Sequence, residues 1–149
     1  VAVASLLNER LTRYGWGNES GVSRMRAVYR VPQPTDPGRC RKPSVAFTTR
    51  ERWAATRPLA YDAHAIDVVP DVVAEVASPW DKANDTHGRV LDFLRAGTRL
   101  VWVVYPAEQT IHAYSSPLAI RAFLIDDTLD GGDVLPGFAV PVAALFPPL

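Results

Sequence analysis

Residues 71–77 read Asp-Val-Val-Ala-Glu-Val-Ala, and residues 100–104 read Leu-Val-Trp-Val-Val. Both runs are rich in β-branched residues and almost continuously apolar, which is typical of strands buried on both faces of a sheet. Between them, residues 85–96 carry apolar side chains at helical spacing. Asp85 is the predicted helix cap, and Gly97 stands where a helix ends in a left-handed residue. The order strand, helix, strand predicts a βαβ crossover with the two strands parallel.

The flanking sequence predicts a helix before this unit and hairpins after it. Residues 2–14 place apolar side chains at helical spacing, and Gly15 and Gly17 are expected to end that helix. The prolines of residues 32–38 predict a loop, and the apolar residues 140–146 predict a short helix. The remaining predicted strands lie at residues 25–31, 44–49, 109–114 and 120–125. These elements together predict an α/β fold.

The composition predicts one domain. The chain has 149 residues, of which 48% are hydrophobic and 21% are charged, and a chain of this length can bury a core without disulfide bonds. Cys40 is the only cysteine, which excludes an internal disulfide and a cysteine-based zinc site. No apolar run is long enough to cross a bilayer. We therefore expect a single domain over residues 1–149 in the cytoplasm, with no membrane partner.

The first residue is a valine and not a methionine, and it lies close to the start of the predicted amphipathic helix. We therefore expect that residues upstream of this helix are missing from the chain.

Charge is divided unevenly along the chain although the net charge is zero. Residues 1–60 carry 11 basic and 4 acidic side chains, a net of +7, whereas residues 61–149 carry 5 and 12, a net of −7. One interpretation is that the first half contacts phosphate groups while the second half supplies carboxylates for a cation. The other is that the two halves neutralise each other within one fold.

Glu75 is the carboxylate that most needs an explanation, because it interrupts an apolar strand. Asp71 shares its face but lies about 13 Å away along a strand, too far to ligate the same ion. If residues 44–49 pair beside this strand, Ser44 is the candidate for a second ligand, and the following helix could place Arg89 over the same spot. The alternatives are that Glu75 simply forms a buried pair with Arg89 and that Asp71 only holds the entry of the strand.

Other catalytic patterns are absent from the sequence. The histidines His64, His87 and His112 lack the spacing of a zinc hydrolase, and there is no glycine-rich nucleotide loop and no Gly-x-Ser-x-Gly motif. Three of the four tryptophans, at 53, 80 and 102, are expected to pack in the core or at a sheet edge and not to serve as platforms for base stacking, although Trp80 lies on the loop beside the presumed site. Lys82 is expected to be an exposed loop residue.

Five segments resemble the Uma-type restriction endonuclease family, a branch of the PD-(D/E)XK nuclease superfamily. They cover nearly the whole chain in the expected order, and they lie at residues 41–47, 70–79, 89–97, 102–104 and 133–138. The resemblance implies a restriction-endonuclease-like core, with a central mixed β-sheet flanked by helices. It also implies an active site that binds Mg²⁺ through an aspartate and a glutamate, beside a lysine.

This chain departs from the family pattern at three positions. Glu75 matches the metal-binding glutamate, but Ser44 stands in place of the aspartate, Arg89 in place of the helix lysine, and Tyr105 in place of another aspartate. Serine is a weak neutral ligand, and arginine does not lose its proton near neutral pH. The resemblance therefore implies Glu75 and Ser44 as the metal positions, with Arg89 as a third site residue facing phosphate.

The resemblance predicts a Mg²⁺- or Mn²⁺-dependent DNA endonuclease with a degenerate active site, which acts on DNA and forms a homodimer. A second hypothesis is a catalytically inactive module that binds nucleic acid or oligomerises on the same scaffold. A third is a domain that binds a small molecule or a protein. Metal binding separates the first hypothesis from the other two, since only a nuclease needs the ion.

Overall fold

A six-stranded mixed sheet forms the centre of the structure, a computed structural model that describes residues 2–55 and 64–148. In spatial order its strands are β1 (Gly21–Met25), β4 (Val45–Thr49), β5 (Val72–Val76), β6 (Leu100–Tyr105), β7 (Thr110–Ser116) and β8 (Ala119–Phe123). Strands β5 and β6 are parallel, and the other neighbouring pairs are antiparallel. The helix α3 (Ala83–Ala96) joins the parallel pair, so the predicted βαβ unit and the α/β class are confirmed.

Helices cover the two faces of the sheet. Helix α1 (Ala2–Gly17) packs Leu7 and Leu11 against one face, in a core cluster that also contains Phe47 and Trp102. Helix α3 packs Val90 and Phe93 against the other face. Because side chains alternate along a strand, β5 directs Val72 and Ala74 towards α1, and Val73 and Glu75 towards α3. The sheet therefore presents Glu75 to the same layer as α3.

Smaller elements complete the structure. Strands β2 (Tyr29–Arg30) and β3 (Cys40–Arg41) pair across the predicted proline loop, and the short helix α2 (Arg50–Ala54) follows β4. Near the C-terminal end of the chain, β9 (Thr128–Gly131) pairs with β10 (Leu135–Pro141), and a 3-10 helix follows at Val142–Leu145. The predicted helix over 140–146 is therefore wrong at its start, because the first two of its residues belong to β10.

Two predicted boundaries near the beginning of the chain are wrong. The strand expected over 25–31 is divided, because β1 ends at Met25 and Arg26 adopts a left-handed conformation with φ of 51°. Gly15 does not end α1 but lies inside it, since the helix continues to Gly17. A Cβ at Gly15 would overlap the carbonyl oxygen of Gly21, so this glycine permits a close contact between helix and strand.

The two ends of α3 differ in how well the sequence predicted them. Asp85 is not the cap, because the helix begins at Ala83 after Lys82, whose side chain makes no capping hydrogen bond. At the other end, Gly97 has a left-handed φ of 116° and its N–H bonds the carbonyls of Phe93 and Leu94, which confirms the predicted C-cap. The N-terminal turn of α3 is thus left without a side-chain cap.

Candidate functional site

Glu75 lies near the C-terminal end of β5 and is only 7% exposed. Its Oε2 atom is 3.5 Å from Nε of Arg89, while Oε1 is buried without a hydrogen-bond partner among the described residues. Burial raises the pKa of Glu75 to about 7, although Arg89 and Arg41 oppose the shift. Asp81 adds to the rise in pKa. A buried carboxylate of this kind is unusual in a structural strand and is typical of a functional site.

Arg89 connects two carboxylates across the site. Its Nη2 atom lies 3.5 Å from Oδ2 of Asp81 and donates a hydrogen bond of 3.4 Å to Oγ1 of Thr86. The side chain is mostly buried, so its charge is poorly screened by water. Helix α3 therefore brings a permanent cation to Glu75, in the place that the sequence predicted for Arg89.

Ser44 immediately precedes β4 and lies beside the end of β5. The register pairs Val45 with Ala74, and one further step of the same antiparallel register places Ser44 opposite Glu75. The hydroxyl Oγ accepts a hydrogen bond of 3.1 Å from the backbone N–H of Val76, and the carbonyl accepts one of 3.2 Å from Arg26. Ser44 thus links the ends of three strands, and its hydroxyl already has a backbone partner.

These residues do not form a good site for a hard divalent cation. Magnesium in proteins is bound by carboxylates together with water and substrate oxygens. Here the carboxylate of Glu75 faces the guanidinium of Arg89, and Ser44 supplies only a hydroxyl that is already hydrogen-bonded. Over residues 2–55 and 64–148, no group of three or more histidine, cysteine, aspartate or glutamate side chains is placed to hold a metal ion.

Asp71 lies at the other end of β5 from Glu75. Its Oδ2 accepts a hydrogen bond of 2.7 Å from the backbone N–H of Thr49, and its Oδ1 is 3.1 Å from Nε of Arg52. The structure therefore does not bring Asp71 to the candidate site. Asp71 instead holds the entry of the strand, the role that the sequence analysis favoured over metal ligation.

The sequence analysis did not select Asp81, Asp92 or Arg41 as site residues, although each of them bears on the site. Oδ2 of Asp92 accepts hydrogen bonds from Arg39 at 2.9 Å and from Arg41 at 2.9 and 2.6 Å. This contact holds Arg41 close enough to Glu75 for its charge to oppose the rise in the pKa of that carboxyl. The available signal was the position of Asp92, an acid among the apolar residues of an amphipathic helix.

The tryptophans differ in their surroundings. Trp102 is fully buried and stacks on Phe138, and Trp53 lies under the guanidinium of Arg24, with 4.9 Å between Cζ and the ring centroid. Trp80 is 92% exposed, so the expectation that it packs in the core or at a sheet edge is wrong. It lies on a turn after β5, where no element of the described structure covers it. Lys82 is exposed as expected.

A cleft of about 490 Å³ opens beside the Glu75–Arg89 pair. Its walls include Thr86 and His87 from α3, Tyr105 from β6 and Tyr114 from β7, together with Asp81. Tyr105 packs edge-on against His112, and burial raises the pKa of the Tyr105 hydroxyl. Because Arg89 contacts both Thr86 and Asp81, the cleft and the ion pair share a wall.

Comparison with known proteins identifies the family and the fold. The family model Uma2, described as putative restriction endonuclease, matches residues 2–143. A crystal structure of a putative nuclease belonging to DUF820, from Anabaena variabilis, is similar with a TM-score of 0.80 and 17% sequence identity. The match covers 97% of this chain and 78% of that chain, and at such low identity it shows the fold alone. No curated protein matches the sequence significantly.

The family assignment rests on the sequence match, and the fold agrees with it. No helix within the described residues is long and apolar enough to cross a membrane. The central mixed sheet with flanking helices agrees with the fold that the sequence resemblance implied. Because the family model spans nearly the whole chain, this protein belongs to the Uma2 family of putative restriction endonucleases.

Proposed function

We propose that this chain is a DNA-binding protein on the restriction-endonuclease scaffold, with a degenerate cleavage site. The observation that carries the proposal is the ion pair between Glu75 and Arg89, 3.5 Å apart in a buried position. A metal-dependent nuclease needs a cation between its carboxylates and the scissile phosphate. In this chain a fixed guanidinium lies beside the carboxylate instead, and arginine cannot give up its proton to act as a base.

Two exposed cations support contact with the phosphate backbone. Arg26 follows β1 and its N–H bonds Ser44, while Lys42 lies two residues before Ser44 in the chain. Both side chains are exposed, and neither forms an ion pair with another described residue. Unpaired cations on one rim of a nuclease-like site are the groups that DNA phosphates neutralise.

A salt series tests this proposal. Fluorescence anisotropy with a labelled duplex should show binding at low salt, and the logarithm of the association constant should fall with the logarithm of salt by about 0.9 per phosphate contact. The double variant Arg26→Asn, Lys42→Ala should have a shallower slope. Asparagine is chosen because it tolerates the left-handed backbone at position 26.

Arg95→Ala is the matched control, because Arg95 is exposed in the last turn of α3, at the opposite end of the helix from the site. Its slope should equal that of the parent protein. An absence of binding at low salt, or an affinity that ignores salt, would contradict any role with nucleic acid.

The second candidate is a Mg²⁺- or Mn²⁺-dependent DNA endonuclease at the same position. Two observations favour it: Oε1 of Glu75 has no hydrogen-bond partner among the described residues, and Asp81 is a second carboxylate on Arg89. Calorimetric titration with MnCl₂, followed by a plasmid-nicking assay, separates the candidates. Metal binding and nicking that both disappear in Glu75→Gln would replace the first proposal with the second.

A homodimer in the cytoplasm remains part of the proposal. Within the described structure β8 pairs only with β7, and Leu118 and Ile120 are exposed at this edge of the sheet. Exposed edge strands with apolar side chains are sites of strand pairing between chains. Sedimentation velocity should show a dimer that Ile120→Lys converts to monomer, whereas a monomeric parent protein would contradict the proposed dimer.

The free, exposed thiol of Cys40 supports the proposed location in a reducing compartment, the cytoplasm.

A further inference from the structure

A closed turn holds Trp80 in solvent at the end of β5. Three hydrogen bonds form the turn over 78–81. The N–H of Asp81 bonds the carbonyl of Ser78 at 3.0 Å, the N–H of Ser78 bonds Oδ2 of Asp81 at 2.9 Å, and the N–H of Trp80 bonds Oγ of Ser78 at 3.2 Å. A single exposed aromatic residue is common on protein surfaces. Trp80 differs from such residues because it lies on a hydrogen-bonded turn beside a cleft.

The turn is also one wall of the cleft of about 490 Å³. Ser78 and Asp81 line the cleft on this side, and the aromatic rings of His87, Tyr105 and Tyr114 line it elsewhere. A volume of this size lies in the range of small-ligand sites. Flat aromatic rings together with acceptors such as Asp81 suit a nucleobase, which presents a π-face and amino groups.

A cation contacts the wall of the cleft without lining it. Arg89 contacts Thr86 and Asp81, which both line the cleft, so a phosphate attached to a base in the cleft would find a guanidinium nearby. Lys82 is exposed beside the same wall, at the start of α3. The carboxylates of Asp81 and of the exposed Glu108 also line the cleft and repel phosphate groups. This repulsion favours the binding of one nucleotide over the binding of a stretch of DNA backbone.

We propose that this cleft binds one unpaired base of single-stranded DNA, with Trp80 stacking on the adjacent base. The inference rests on the proposed DNA-binding function and names the form of DNA that the site prefers. A base inside a duplex cannot enter a cleft unless it leaves the stack, which costs several kcal/mol. Single-stranded DNA avoids that cost, and every base offers a face for stacking.

Paired binding measurements test the preference. A labelled pyrimidine oligonucleotide, single-stranded or annealed to its complement, is titrated at about 50 mM salt and followed by anisotropy. The single strand should bind more tightly to the parent protein. Trp80→Ala should weaken single-strand binding by about 5-fold or more and leave duplex binding unchanged, while Trp80→Phe should recover most of the loss.

Trp16→Ala is the matched control, because Trp16 is 78% exposed on α1 and does not line this cleft. It should leave both affinities unchanged. Tryptophan fluorescence gives an independent readout, since quenching by the single strand should disappear in Trp80→Phe and persist in Trp16→Phe. Both substituted side chains are exposed, so thermal melts should match that of the parent.

The possible outcomes separate this inference from the function on which it rests. Equal affinity for the two forms of DNA, with no effect of Trp80→Ala, would overturn the inference and leave duplex binding in place. If Trp80→Ala does not weaken the binding of single-stranded DNA, the assignment of the cleft as the base-binding site is overturned. A protein that binds neither form at low salt would overturn the proposed function and this inference together.

Discussion

The carboxyl of Glu75 should make the stability of the protein depend on pH. Burial raises its pKa from 4.5 to about 7 in the folded chain. Because the folded state holds this proton more tightly, Glu75 contributes stability below about pH 4.5 that is lost as the pH rises through 7. The contribution is about 3 kcal/mol on the scale of 1.36 kcal/mol per pKa unit.

Glu75→Gln should remove this pH dependence. Urea denaturation measured between about pH 5 and pH 8 should give a free energy of unfolding that falls less steeply in the variant than in the parent. Glu108→Gln serves as the control, because Glu108 is exposed and its removal should leave the slope unchanged. Equal slopes in all three proteins would mean that Glu75 titrates normally.

Ser44→Asp tests whether position 44 is a lost metal-ligand position. The substitution places a second carboxylate opposite Glu75, and two facing carboxylates repel each other. We expect the variant without metal to melt below the parent at pH 7 and to recover on addition of Mg²⁺, because a ligand that binds only the folded state stabilises it. Ser115→Asp, at an exposed site on β7, should not respond to the metal.

Arg89→Lys, combined with Ser44→Asp, tests whether the site can cleave DNA. The combination restores a compact ammonium beside a carboxylate pair, and the double variant should nick plasmid DNA faster than the parent by about 10²-fold or more. A Ser44→Asp variant whose melting temperature does not change with the metal would show that position 44 is not a lost metal-ligand position.

Among the elements, the contact between α1 and β1 depends on a glycine. Gly15→Ala adds a Cβ against the backbone of Gly21, which cannot move without disturbing β1, so we expect a loss of about 1–3 kcal/mol in the free energy of unfolding. Gly17→Ala is a matched control in the same helix, because a Cβ there meets nothing within 4 Å. The control should be neutral or slightly stabilising. Chemical denaturation of both variants measures the difference, and equal stabilities would contradict the close contact.

The elements show where sequence reasoning succeeds. The βαβ unit was predictable because two apolar runs and a helix with a glycine C-cap are local patterns that tertiary contacts did not override. The break after Met25 was not predictable, since it depends on a left-handed Arg26, which nothing in its neighbours signals. Trp80 was misjudged for a related reason: its turn is closed by Ser78 and Asp81, and the composition of a loop does not reveal which side chains it exposes.

The candidate site was predictable only in part. Strand parity, together with the order of elements in the family that the sequence resembles, led to the expectation that Ser44, Glu75 and Arg89 lie near one another, and the structure brings them together. The hydrogen bond from Val76 to Ser44 and the contact of Asp81 with Arg89 depend on backbone positions at the ends of strands and turns. Such positions follow from the assembled fold and not from local sequence.

Over the whole molecule, the two oppositely charged halves of the chain partly neutralise each other. Arg39 and Arg41 from the first half both bind Asp92 from the second, and Arg52 binds Asp71 in the same way. This supports the second of the two charge interpretations for these residues. Arg26 and Lys42 are among the exposed cations that no ion pair with another described residue neutralises, and they remain available for an external anion.

Asp92→Asn should therefore destabilise the fold. Asp92 is buried and holds two arginines. Neutralising it leaves Arg41 without its ion-pair partner among the described residues and Arg39 with Asp36 alone, so it should lower the free energy of unfolding by about 3 kcal/mol. Asp36→Asn is the control, because Asp36 is more exposed and binds only Arg39 among the described residues. Urea titration of the two variants should separate them clearly, and equal stabilities would mean that the buried contact contributes little.

The separation between Asp71 and Glu75 along β5 has an evolutionary consequence. The strand is anchored at its entry by Thr49 and Arg52, at the opposite end from Glu75. Substitutions at the Glu75 end therefore leave the entry of the strand anchored and the register of the sheet intact. We therefore expect the Glu75 end of the strand to accept changes of side chain more readily than its entry, which makes it a suitable place to introduce new chemistry by directed evolution.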